Sequence, residues 1–443
     1  MNAPGNVQRR RLKYVTTIND EALGEETKAD YELQYVDIGN VDSSGTVHEI
    51  ATHRFADAPS RARRRVRDGD VIISCVRTYL QAITPIQNPP DNLIVSTGFA
   101  VVRPRAGVLD VGFCKYALRE PAFLAEVEMR SVGVSYPAIN ASDLGDIPVH
   151  FPSAQSQRAI ADYLDRETAR LDALVEAKER VLGLLAEKRR ALITRAVTRG
   201  LDPLVTLRAS GVPWLGEIPS HWERAQLRRF TSFITSGSRG WAEHYSASGS
   251  LFVRIGNLTR DSTRLDLTDV QYVSPPDGSE GERTRIQPGD LLFSITAYLG
   301  SVAVAPGGVE NAYVNQHIAL VRLDIAKGLI PDFAAYAALS DIGQSQLAGQ
   351  AYGGTKTQLA LDDIRELWFL VPPLAEQQAV VAHIAVETAK LDAMRSATER
   401  TIALLKERRA ALIAAAVTGQ IDVGSGRHYT DTAASQKEPG RRR

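Results

Sequence analysis

The sequence predicts a mixed α/β protein built twice, with two α/β domains each followed by a long helix of coiled-coil character. Three observations predict it. "ETARLDA" at 167–173 returns as "ETAKLDA" at 387–393, about half the 443-residue chain away. Around both copies, apolar residues recur every three or four positions over several heptads. The stretches between are short β-branched runs bounded by Gly, Pro or Asp, the mark of strands.

In chain order, the first domain spans 1–152 and carries strand candidates at 71–76 (VIISCV) and 99–104 (FAVVRP), with a helix over about 112–128. The first long helix occupies 153–202. Ser153 stands where an N-cap is wanted, and Pro203 closes the helix. Its apolar stripe is Ile160, Leu164, Leu171, Leu174, Val181, Leu185 and Leu192. The second domain, 203–371, has strand candidates at 251–258, 291–299 and 317–323 and a helix over about 331–348. The second long helix, 372–422, opens at Pro372-Pro373 and repeats the stripe at Val380, Ile384, Leu391, Met394, Leu405 and Leu412. Each helix is about 45 residues, or roughly 65 Å at 1.5 Å per residue. A stripe that long needs a partner helix, and the economical partner is its own copy. The tail 423–443 is polar and Gly/Ser-containing and reads as disordered.

The match extends beyond the helices. "RRALITRAVTRGLD" (189–202) aligns with "RAALIAAAVTGQID" (409–422), and Gln157 meets Gln377. Gly69-Asp70 likewise meets Gly289-Asp290.

Composition is that of a folded protein, 44% apolar and 23% charged, with zero formal net charge. Overall charge therefore gives no hint of a polyanionic partner. Two basic runs, "QRRRLK" (8–13) and "RARRRVR" (61–67), stand out locally, and each alone reads first as a solvated face or loop. The two cysteines, Cys75 and Cys114, give neither a disulfide framework nor a zinc pattern. No apolar run reaches membrane-spanning length, so a soluble cytoplasmic protein is expected.

Catalytic motifs fail on inspection. Asn88-Pro89-Pro90 lacks the aromatic that would stack on a flipped adenine, because Asp91 follows. "GQAYGGTKT" (349–357) misplaces the lysine of a phosphate-binding loop by one residue, although a Gly-rich loop with Lys356 still suits a phosphate. "ETK" (26–28) and "EAK" (176–178) lack the upstream acid of a nuclease metal site. The eight histidines form no ligand pair, so no metal site is expected. No catalytic residue is assigned.

Three segments carry a family resemblance: "GVPWLGEIPSHWERAQLRRF" (211–230), "VPPLAEQQAVVAHIAVETAKLDAM" (371–394) and "LLKERRAALIAAAVTGQID" (404–422). The chain resembles, over about 10–422, the specificity subunit of type I restriction–modification enzymes. The first half lacks the Trp-Leu-Gly-Glu-Ile-Pro opening and starts near "RRRLKYV" (9–15). The resemblance implies two target-recognition domains separated by two antiparallel coiled-coil helices, each domain reading one half of a split DNA site. It implies that the helices set the gap between half-sites and dock methyltransferase subunits, and through them restriction subunits. S-adenosylmethionine, ATP and magnesium would then belong to those partners, with no cofactor in this chain.

Candidate DNA-binding residues come from loops after the shared strands. They are Arg77, Thr78, Tyr79, Ser135 and Tyr136 in the first domain, and Arg254, Asn257, Tyr298, Lys356 and Thr357 in the second. Arg grips guanine by two bonds, Asn does so for adenine, and Lys and Thr suit phosphates. Competing readings are a coiled-coil scaffold that never touches DNA, a self-contained enzyme, and a specificity subunit of a methylation-only complex.

Overall fold

The computed structural model describes residues 7–212, 215–275, 278–296, 299–309, 311–351, 358–423 and 427–428. By internal contacts the chain divides into two units: residues 1–177 with 401–443, and residues 178–400. Both long helices, Ala154–Arg199 and Leu374–Val417, contribute one end to each unit.

In the first unit one sheet runs in the order Thr16–Ile18, Phe99–Pro104, Val71–Ser74, Ile83–Pro85, with antiparallel neighbours. A second runs Ala51–Arg54, Glu32–Val36, Leu93–Ser96, Ala62–Arg65, and its two central strands are parallel. Strand Val71–Ser74 is buried on both faces, which explains its unbroken apolar spelling. Val71 and Ile73 face the helices, while Ile72 faces the second sheet beside Val36, Val95 and Phe99. Helices Val111–Ala117 and Pro121–Arg130 cover the first face. Ile160, Ala161 and Leu164 of one long helix and Ile413, Ala416 and Val417 of the other close the same core.

The second unit repeats this plan. One sheet is ordered Thr231–Ser236, Ile318–Leu323, Leu291–Ser294, Val302–Val304. The other also holds a parallel pair, Ser250–Val253 with Ala312–Val314, but here Ala312–Val314 is the edge strand. Leu291 and Phe293 face helix Pro331–Leu339, and Leu292 faces Val253 and Val314. Ile193, Ala196 and Val197 of one long helix meet the same core as Val380 and Ile384 of the other. In each unit the helices run antiparallel, as expected from the sequence.

Two braces appear in both copies. Asp70, 1% exposed, accepts Nε and Nη2 of Arg103 at 2.8 Å each, and Asp290, also 1% exposed, does the same for Arg322. Gln157 at the start of the first long helix accepts the Asp110 backbone N–H at 2.7 Å and donates to the Pro152 carbonyl at 2.9 Å. Gln377 accepts from Ile330 at 3.0 Å and donates to Gly328 and Pro372 at 2.7 and 2.8 Å.

Several expectations shift. The helix expected over 112–128 breaks at Leu118–Glu120, because Glu120 caps a new helix through the N–H groups of Ala122 and Phe123. The helix over 331–348 breaks where Ser340 caps a second one. Strand 251–258 ends at Val253 and turns into a single 3-10 turn, Ile255–Asn257. The first long helix stops at Arg199, ahead of Pro203, because Gly200 takes φ +71° and the second ends likewise before Gly419 at φ +74°. Trp222 packs over Gly200 and donates its indole N–H to Glu376 at 2.9 Å. Leu174 and Met394, placed in the apolar stripe from sequence, are 43% and 53% exposed. Thr168 and Thr388 take stripe positions instead, because each satisfies its hydroxyl on the carbonyl four residues back. Both basic runs contain strands: Gln8–Arg11 pairs with Pro148–Phe151, and Ala62–Arg65 with Leu93–Ser96.

Candidate nucleic-acid interface

In the first unit, five predicted residues come together at the end of strand Val71–Ser74. Arg77 sits at φ 55°, ψ 52°, an unusual backbone for a residue with a side chain. It is held there by its N–H donating to the Pro137 carbonyl at 2.8 Å, while Val76 bridges to Ala138. Its guanidinium lies 4.8 Å from the centre of the Tyr136 ring. Thr78 is buried and shares a hydrogen bond with Ser131 at 2.9 Å, pinning the two loops together. Tyr79 and Tyr136 stand 55% and 60% exposed, and Ser135 is exposed beside them. Val134, at the tip of the same loop, is fully exposed. A cation stacked on an aromatic, with the exposed Tyr79 two residues further along the chain, suits both a phosphate chain and base faces.

Cys75 adjoins this loop but offers no nucleophile. Burial pushes its thiol up to about 11 and that of Cys114 up to about 12, so both stay protonated near neutrality.

The second unit builds the same rim from the end of strand Leu291–Ser294. Thr296 bridges to Gln358 as Val76 does to Ala138, 220 residues apart in each case. Tyr298, Lys356 and Thr357 lie outside the described residues. Arg254 and Asn257 fall on a neighbouring turn, away from that bridge in sequence but joined to it through the turn at Asn315–His317. Asn315 donates to the Val253 carbonyl at 3.0 Å, Ile295 donates to the His317 carbonyl at 3.0 Å, and Thr296 bonds His317 Nδ1 at 2.8 Å. Arg254 pairs with Asp269 at 3.0 Å. Asn257 is 3% exposed and spends its amide on the fold. It donates to the carbonyls of Asp266 and Asp269 at 2.8 Å each and accepts the Arg254 N–H at 2.8 Å.

Sequence reading missed the matching turn in the first unit, Ile38–Asn40, where Asn40 Oδ1 accepts the Asp37 N–H at 3.2 Å. Its signal was present: "VDIGNV" (36–41) and "VRIGNL" (253–258) share Ile-Gly-Asn. Arg61 pairs with Asp37 there, and its pKa is raised by the Tyr35 hydroxyl and then by that carboxylate.

Comparisons with known proteins bear on this pair of rims. Residues 268–393 match the family model of the type I restriction modification DNA specificity domain. The chain is 23% identical over 330 residues to the EcoKI specificity subunit of Escherichia coli K12, covering 72% of this chain and 68% of that one. It is 20% identical over 308 residues to the Escherichia coli EcoBI specificity subunit, covering 68% of this chain and 64% of that one. The chain is a relative of the type I specificity subunits. It thus spans about two thirds of the length of these relatives. A solved chain from a study of complex assembly and conformational transition in the type I R-M system has the same fold, with TM-score 0.73 at 22% identity, covering 95% of this chain and 100% of that one.

The specificity-domain match begins inside the second unit and runs into the opening half of the second long helix. Tyr298, Lys356 and Thr357 fall within it, and Arg254 and Asn257 just ahead of it. The first unit lies outside the match. It repeats the plan of the second unit, down to the bridge after the strand end and the buried Asp–Arg brace. Among the described residues no group of three or more His, Cys, Asp or Glu is placed to hold a metal, and no helix is long and apolar enough to cross a membrane.

Proposed function

We propose that the chain is the DNA-recognition subunit of a type I restriction–modification complex, with each unit reading one half of a bipartite double-stranded target. The observation that carries this reading is the repetition of one rim on two scaffolds. The strand ends, the bridge to the following loop and the Ile-Gly-Asn turn recur, while the exposed side chains differ. A shared scaffold with unlike side chains is what two unlike half-sites require, since phosphate contacts set register and base-edge contacts set sequence.

Adenine methylation needs the base flipped out of the duplex, so a recognition subunit must hold the methyltransferase over one chosen base. In this reading the long helices fix the gap and dock methyltransferase subunits, which in turn bring restriction subunits. The chain is non-catalytic, and S-adenosylmethionine, ATP and magnesium are bound by the partners. The complex works in the cytoplasm.

The test is a gel shift of the chain assembled with its methyltransferase subunit over a range of salt. Tight binding to one duplex should appear over competitor DNA, with log K falling linearly against log salt. An assembled complex that binds no duplex at any salt would make the chain a protein scaffold.

A further inference from the structure

The Ile-Gly-Asn turns differ in one informative way: the residue before each is charged, and its sign is reversed. Asp37 precedes the first turn and pairs with Arg61; Arg254 precedes the second and pairs with Asp269. Both turns follow the strand that makes the parallel pair in its sheet, so they stand at equivalent positions. Each belongs to the rim described above. In the first unit, Ile38 packs on Gly98, whose carbonyl accepts the Cys75 N–H at 2.8 Å, two residues from Arg77.

Among the described residues neither backbone conformation nor packing requires these two glycines. Gly39 and Gly256 are exposed and absent from the positive-φ positions, so their backbone suits any residue. A Cβ added at either would meet no atom within 4 Å among the described residues outside its chain neighbours. A glycine needed neither for conformation nor for internal packing, yet present in both copies, fits close approach by something outside the chain. Beside Gly256 lies an open cleft of 290 Å³ lined by Arg254, Asn257, Asp266, Thr268, Asp269 and Asn315.

We propose that this turn is a base-reading element in both units, with Asp37 and Arg254 as specificity-determining residues of the two half-sites. The inference rests on the DNA-recognition function proposed above. Among the described residues Arg254 engages Asp269 through Nη2, and its Nε is buried without a partner. The Asp269 side chain is 88% exposed, so water weakens that tie and leaves the two terminal nitrogens of the guanidinium, Nη1 and Nη2, to guanine O6 and N7. Asp37 is an acceptor, suited to the cytosine N4 amino group, and Arg61 offsets its repulsion from the phosphates. The asparagines hold the turns while the glycines let the duplex come close.

The experiment maps methylated adenines written by the whole complex carrying wild-type chain, Arg254→Ala or Asp37→Asn. Arg254→Ala should relax one base position in one half-site, with discrimination there falling about 5- to 150-fold, and Asp37→Asn one position in the other. Gly256→Val, whose Cβ would meet no described atom within 4 Å, should keep the melting temperature of wild type and lose affinity for the mapped duplex. A wild-type split motif that both charge variants reproduce base for base, with Gly256→Val binding normally, overturns the inference alone. A wild-type complex that writes no motif overturns the recognition function and this inference with it.

Discussion

Arg189 and Asp392 join the two long helices by a two-pronged ion pair, Nη1 to Oδ1 at 2.5 Å and Nη2 to Oδ2 at 3.2 Å. Asp172 and Arg409 make the equivalent pair in the other unit at 2.9 Å, with acid and base exchanged between helices. Asp172 and Asp392 are repeat partners 220 residues apart, as are Arg189 and Arg409. The same contact is thus written twice, once in each unit. A row of leucines tolerates slippage, whereas an opposite-charge pair at one position specifies register.

Reversing one member should therefore cost more than deleting it. Asp392→Ala should destabilise the second unit by about 1 kcal/mol, because the Asp392 side chain is half exposed. Asp392→Arg should cost more, and Asp392→Arg with Arg189→Asp should recover most of the loss. Urea denaturation of the four proteins measures the coupling, and an uncoupled double mutant would remove the pair from the account.

The buried braces should be less forgiving. Asp290→Asn leaves the Arg322 guanidinium beside a neutral group at a site 1% exposed on the acid side, and should cost about 3–5 kcal/mol. Asp70→Asn should cost less in the first unit, because Arg103 keeps Asp20 at 2.8 Å and Glu21 at 3.2 Å. Thermal melts check this, and a shift of less than a degree or two in either would mean that the brace is incidental.

Asp42 supplies a pH test. Burial raises its pKa, but hydrogen bonds from Ser44, Thr46 and His48 outweigh that and hold it at about 2, below the usual 3.8. A carboxylate with a lowered folded pKa stabilises the fold above its unfolded value, and that contribution fades as pH falls through the folded one. The 42–48 turn should thus loosen between about pH 4 and pH 2, and Asp42→Asn should remove this part of the acid dependence. Chemical shifts of Ser44 and Thr46 amides against pH report it.

Arg77 and Tyr136 should act on one half-site only. Arg77→Ala removes the cation of the stacked pair and should weaken binding of the assembled complex, with a salt slope smaller by about one unit if the contact is a phosphate. Tyr136→Ala should lower affinity with the slope unchanged, because a ring carries no charge. Equal slopes for wild type and Arg77→Ala would take Arg77 off the phosphate backbone.

The long helices should behave as a ruler. One heptad added to each, at 177/178 and 400/401, preserves the apolar seam and lengthens each helix by about 10 Å, or roughly three base pairs of duplex. The unread gap should grow accordingly with both half-sites unchanged. Altered half-sites at a constant gap would contradict the ruler.

How far the sequence reveals this molecule depends on how local each signal is. Strand Phe99–Pro104 and the two helices were legible to within a few residues, because period and burial agree there. The helix breaks at Glu120 and Ser340 were not, since a capping side chain competes with a pattern that continues across it. Leu174 and Met394 misled because a threonine that bonds its own helix can occupy a buried stripe while a larger apolar residue stays outside. At the rim, the sequence picked out the Arg77 loop but not its contact with Tyr136, which forms only when two segments some 60 residues apart meet. Asn257 looked like a reader by its chemistry, and its amide instead holds the loop. The Ile-Gly-Asn repeat escaped because it departs from the 220-residue spacing of the helices by three residues.

The most direct test of the central claim is a map of methylated adenines in a host carrying this chain with its methyltransferase subunit. The account predicts two short, unlike half-sites separated by an unread gap of constant length. A single uninterrupted motif, or methylation without regard to sequence, would contradict it.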